Sequence, residues 1–172
     1  RQRQMCIRDR GELDVAVIAG PASRSALTSV PLAHARFAWC AGPGVTRGLR
    51  LMDADAMQSQ PLVTLPQGSG VTHLIDDWLR QAYARPARRL VCNHWGAIVG
   101  LLAQGCGIGL LPEGWAQALH ARDVLQVLPS PVPLGSLGYA LHSRRDDLRP
   151  LVSMLHGLAA QHADFTVASG AF

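Results

Sequence analysis

The stretch Asn93-His94-Trp95-Gly96-Ala97-Ile98-Val99-Gly100-Leu101-Leu102-Ala103-Gln104-Gly105-Cys106-Gly107-Ile108-Gly109-Leu110-Leu111-Pro112 decides the fold. It reads as a capped apolar helix, a glycine stop, a short apolar strand and a proline. Asn93 is a suitable N-cap, because an asparagine oxygen accepts from a free first-turn N–H. Gly105 supplies the helix stop. Ile108–Leu111 is apolar at every non-glycine position, as in a strand covered on both faces. Pro112 stands where the next helix opens.

The same alternation continues in both directions. Upstream, Val15–Ile18 is a continuous apolar run, and Leu27–Val30 and Arg36–Ala41 read as further strands. Gly42-Pro43-Gly44 is a breaker, and 49–57 is a short helix or turn. Leu62–Leu65 is a strand closed by Pro66-Gln67-Gly68-Ser69-Gly70. A helix over 71–83 puts Leu74, Ile75, Trp78, Leu79 and Ala82 on one face, with Asp76 and Arg80 expected to pair on the other. Strand 88–92 precedes the opening stretch. After it come a helix to His120, a strand 124–128, a Pro/Gly-rich link 129–135 and a strand 137–142. The last helix, to about His162, is expected to be capped by Asp146 or Asp147. Its apolar face would be Leu148, Leu151, Val152, Leu155, Leu158 and Ala159. Strands alternating with helices predict α/β with mostly parallel sheets.

Composition narrows the function classes. With 48% hydrophobic and 16% charged residues, the chain can bury a core. No apolar run approaches the roughly 18 residues that span a bilayer. The formal charge of +4 is concentrated at one end. Arg1, Arg3, Arg8 and Arg10 against Asp9 hold most of it, and the rest of the chain is almost neutral and free of lysine. Such a body has no obvious phosphate-tracking face, so nucleic-acid binding would have to come from elsewhere. The stretch 1–10 has no period and resembles translated adapter or vector sequence, so it is set apart as a non-native or disordered tail. Cys6, Cys40, Cys92 and Cys106 form no C-x-x-C pair and read as reduced thiols of a cytoplasmic protein.

The apolar helix running into Leu101-Leu102-Ala103-Gln104-Gly105-Cys106-Gly107-Ile108-Gly109-Leu110-Leu111-Pro112 resembles the effector-binding domain of LysR-type transcriptional regulators, a bacterial family. Gly11-Glu12-Leu13-Asp14, leading into the first apolar strand, resembles that family's "G-x-L-D" strand. The resemblance implies a two-lobed, periplasmic-binding-protein-like domain of type 2. One lobe would be 44–132. The other, incomplete, would join 11–43 to 133–165, and 166–172 would be a tail. It also implies that the family's winged helix-turn-helix and opening strands are missing, so that the chain is a C-terminal fragment touching DNA only through a missing N-terminal domain. The partners implied are a small-molecule effector, held in a cleft between the lobes, and further copies of the chain, as a dimer or tetramer of the intact protein. No cofactor and no membrane are implied.

In open α/β sheets ligands sit beyond the carboxyl ends of strands, where helix N-termini offer free N–H groups and partial positive charge. Three segments meet that description. Gly68, Ser69, Gly70, Val71 and Thr72 follow a strand and open a helix, and the two hydroxyls serve equally well as caps or as ligand donors. Asn93 and His94 lie at a strand-to-helix junction, where the resemblance implies effector contacts. Against this, Asn93 can be a cap and His94 a surface residue. Gly20, with Pro21 and Ser23, ends the first strand, and a crossover at Ala41-Gly42 would sit beside it. An ordinary loop explains that segment as well.

Other chemistry finds little footing. Cys92-x-His94 lacks the second ligand pair of a zinc site. The glycines at 105, 107 and 109 lead from helix to strand, the reverse of a dinucleotide loop. Gly68-Ser69-Gly70 is not a hydrolase elbow, and no paired carboxylates offer acid–base catalysis. An effector-sensing and oligomerisation domain, and not an enzyme, is the expectation. A solute-binding protein for uptake and an enzyme of the same fold are the rivals.

Overall fold

The computed structural model describes residues 13–20 and 25–165. The decapeptide, Gly11, Pro21, Ser23 and the tail from 166 lie outside the described residues. The chain divides into two units. The smaller takes the described residues up to Ala35 and Leu137–Phe165, and the larger takes Arg36–Ser136.

The smaller unit is an antiparallel sheet of β1 (Val15–Ala19), β2 (Leu27–Ala35) and β8 (Leu137–Arg144) in the order β1-β8-β2. The central strand β8 buries Ala140, Leu141, His142 and Ser143 in succession. The register of β2 against β8 shifts between Pro31 and His34, beside a proline that has no N–H to give the ladder. The last helix of the chain, Pro150–His162, packs against β2 and β8. Neither expected aspartate caps it. Pro150 fixes the start, Arg149 is the N-cap with no side-chain bond, and Asp147 accepts from the Arg149 backbone N–H at 3.2 Å. Asp146 instead takes the Arg144 guanidinium. The expected apolar face is only partly covered: Val152 is buried, whereas Leu148 is 87%, Leu151 55% and Leu158 45% exposed.

The larger unit holds β3 (Phe37–Ala41), β4 (Leu62–Thr64), β5 (Arg89–Val91), β6 (Ile108–Pro112) and β7 (Gln126–Leu128) in the order β5-β4-β6-β3-β7. Its helices are α1 (Pro43–Thr46), α2 (Ala54–Ser59), α3 (Gly70–Gln81), α4 (Trp95–Ala103) and α5 (Glu113–His120), and Pro150–His162 is then α6. β4 runs parallel to β5 and β6, while β3 runs antiparallel to β6 and β7. The larger sheet is therefore mixed, and the smaller one antiparallel throughout. β3 enters this unit at the end where β6 and β7 finish, so it must oppose them.

Side-chain alternation sorts the sheet into two faces. Cys40, Val63 and Leu111 meet Ile98 and Leu102 of α4 and Ala116 and Leu119 of α5 in one core. On the other face Trp39 meets Trp78 of α3 edge-on, with ring centroids 5.1 Å apart. α4 lies close against the sheet. A Cβ on Gly42 would overlap the Leu102 carbonyl oxygen, so this breaker makes room for α4. The chain passes between units at Ala35–Arg36 and Ser136–Leu137, whereas the sequence expectation drew the lines at 43/44 and 132/133. The expected Asp76–Arg80 pair does not form: Asp76 reaches Arg89 of β5 at 2.7 Å, and Arg80 pairs with Asp77.

Candidate ligand site at the strand ends

The parallel strands β4, β5 and β6 finish at one end of the larger sheet. Two helices open there from neighbouring strands. α3 follows β4 and packs on the Trp39 face, while α4 follows β5 and packs on the Cys40 face. Their N-termini thus flank the strand ends from both faces, with free N–H groups and the positive ends of two helix dipoles.

At the start of α3, Ser69 is the N-cap. Its Oγ accepts from Thr72 N at 3.1 Å, and Thr72 Oγ1 donates to the Ser69 carbonyl at 2.8 Å. Val71 and Thr72 are buried. Both hydroxyls therefore shape the helix start. Gly68, exposed and at φ 85°, and half-buried Gly70 leave its mouth bare of side chains. At the start of α4 the expectation shifts by one residue. β5 ends at Val91 and the helix begins at Trp95, so His94 is the cap, and its Nδ1 accepts from Gly96 N at 3.1 Å. Asn93 lies one residue outside, exposed. Trp95 packs edge-on against Trp115, anchoring the junction at a centroid distance of 6.2 Å.

The remaining two candidates are placed differently. Gly20 belongs to the smaller unit, where its N–H donates to the Gly138 carbonyl at 2.8 Å. Ala41 is fully buried in the larger unit, paired with Ile108 and Gln126 at the end where β4 and β6 begin, away from the helix mouths.

Sequence reading missed a cavity of about 570 Å³ in the larger unit, walled by Arg36, Phe37, Trp39, Glu113, Leu128 and the segment 130–136. Arg36 Nε meets Glu113 Oε2 at 2.7 Å, and Glu113 N donates to the Arg36 carbonyl at 2.9 Å. The far wall is pinned by Trp78, whose Nε1 donates to Ser130 Oγ at 2.9 Å and to the Val132 carbonyl at 3.2 Å. No local signal joins these residues, because strand pairing brings them together from distant segments.

Two buried titratable groups complete the electrostatics. Burial pushes the Cys40 thiol up to about 12, so it stays protonated and unreactive. In the smaller unit burial lowers the pKa of His142, outweighing the carbonyls of Gly20 and Ile18, and Ser29 Oγ lies 3.0 Å from its Nδ1. Among the described residues no three His, Cys, Asp or Glu side chains gather as a metal site.

The LysR substrate binding domain model matches residues 2–164. A probable hydrogen peroxide-inducible genes activator of Mycobacterium avium is 27% identical over 172 residues, covering 94% of this chain and 54% of that protein. The chain thus spans about half the length of this curated relative. Among solved structures, the regulatory domain of HypT from Salmonella typhimurium, bromide-bound, superposes with a TM-score of 0.74 at 18% identity, over 93% of this chain and 78% of that one. The effector-binding domain of QuiR with shikimate gives 0.72 at 16% identity, over 92% and 75%. The CcmR regulatory domain of Synechocystis PCC6803 with 2-PG gives 0.72 at 16%, over 93% and 77%. The chain belongs to the LysR substrate-binding-domain family.

Proposed function

We propose that this LysR substrate-binding domain senses a small organic anion on behalf of a transcription factor. The observation that carries the reading is the pair of helix N-termini, α3 and α4, opening on the two faces of the sheet at the carboxyl ends of adjacent parallel strands. Free N–H groups there favour a carboxylate or phosphate, and Gly68 and Gly70 let it approach the backbone. The complexes of QuiR with shikimate and CcmR with 2-PG support an anionic ligand by analogy.

In this reading the anion favours one conformation of the domain over another. The shift is transmitted to a helix-turn-helix element in the same polypeptide and to paired copies of the regulator. The protein works in the cytoplasm, where its DNA is, and catalyses no reaction. No helix among the described residues is long and apolar enough to cross a membrane. The Mycobacterium avium relative is named for hydrogen peroxide. Cys40, buried and protonated, is poorly suited to react with peroxide, which favours a bound ligand over oxidation of that thiol. The test is calorimetric titration of small carboxylates and phosphates, shikimate and 2-PG included, into the chain. Saturable binding by at least one supports the reading, and silence across the panel sinks it.

A further inference from the structure

We propose that the cavity between Arg36 and the 130–136 segment is a second ligand site, built for a small zwitterion with an apolar side group, the chemistry of a free apolar α-amino acid. Its volume of about 570 Å³ falls in the usual range of ligand pockets, roughly 300–1,000 Å³. Phe37, Trp39 and Leu128 supply an apolar floor. The far wall is held in place before any ligand arrives, by the Trp78 bonds to Ser130 and Val132 and by the bond from Met52 N to the Pro129 carbonyl at 2.7 Å.

The charged groups set the ligand class. Arg36 and Glu113 stand in the same wall, joined at 2.7 Å. A lone anion drawn to Arg36 meets the Glu113 carboxylate, and a lone cation drawn to Glu113 meets the guanidinium. A zwitterion meets neither penalty: its carboxylate lies against Arg36 while its ammonium lies against Glu113. The pair is partly exposed, 69% for the arginine side chain and 34% for the glutamate. It therefore holds together only weakly and opens at little cost. This site uses Arg36 and β3, Glu113 at the start of α5, β7 and the link after β7, and none of the residues at the mouths of α3 and α4 lines it, so it stands or falls independently of the anion site.

The test uses the whole 172-residue chain in calorimetric titrations at neutral pH with L-leucine, L-phenylalanine, N-acetyl-L-phenylalanine and phenethylamine. At least one of the two amino acids is expected to bind saturably, with the acetylated acid and the amine at least tenfold weaker. Glu113→Gln and Arg36→Gln should each weaken that binding tenfold or more while leaving the urea midpoint nearly unchanged. A carboxylate already bound at the helix mouths should leave the amino-acid titration unaltered. Absence of binding by both amino acids, equal binding of the acetylated acid, or competition with the carboxylate overturns the proposal.

Discussion

At the scale of single residues, the tight points are where backbone approaches backbone. A Cβ on Gly107, at φ 147°, would overlap the Pro61 carbonyl oxygen. Gly107→Ala should therefore cost on the order of 3 kcal/mol, read as a fall in urea midpoint. Gly44→Ala, with open space around it, should stay within about 0.5 kcal/mol. Equal effects would refute the packing account. Ser69→Ala removes the cap on Thr72 N and should cost about 1 kcal/mol. His142 gives a pH signature. Its folded pKa is lowered below the ordinary 6.5, so the unfolded chain takes up the proton first. Its contribution is complete above about pH 6.5 and is lost as pH falls through the folded pKa. Between pH 7.5 and 5 the parent chain should lose more stability than His142→Gln, and parallel losses would contradict the assignment. Local chemistry left Ser69 and Thr72 open between cap and ligand donor, and the fold uses Ser69 as the cap. The same preference pointed to Asn93 as the cap of α4, one residue too early, because only the strand's end at Val91 and the helix start at Trp95 settle that His94 is used.

At the scale of elements, the α4–β6 pair was legible as a unit. Its stop, strand and proline are chemically distinct, and its apolar residues do build the Cys40-side core. Charge pairing across elements was not legible. Asp76 chose Arg89 on the neighbouring strand over Arg80 on its own helix, a contact that exists only after β5 is seated. The wall held by Trp78 was hidden for the same reason. Trp78→Phe deletes the donor to Ser130 and Val132 and removes part of a buried indole. It should cost about 2–4 kcal/mol and speed amide exchange across 130–136. Unchanged exchange there would show that the segment is held by something else.

At the scale of the whole molecule, the α/β class was legible from the alternation of strands and helices. The points where the chain passes between the two units were not. Gly42-Pro43 looked like a crossing because breakers mark links, yet Gly42 is there to admit α4. The expected burial of the last helix is met only at Val152 among its well-buried positions. Leu151, Met154 and Leu158 remain exposed along α6, and β1 is an edge strand with Val17 41% exposed. The chain should therefore self-associate. Sedimentation velocity should show mass rising with concentration, and Leu151→Gln with Leu158→Gln should reduce it. A monomer at every concentration would contradict this. An anion held by the mouths of α3 and α4 should leave its mark in hydrogen exchange with and without the tightest-binding carboxylate. The amides of 68–72 and 94–97 should gain protection when it binds. Tight binding that leaves those amides unprotected, with protection only elsewhere, would contradict that placement.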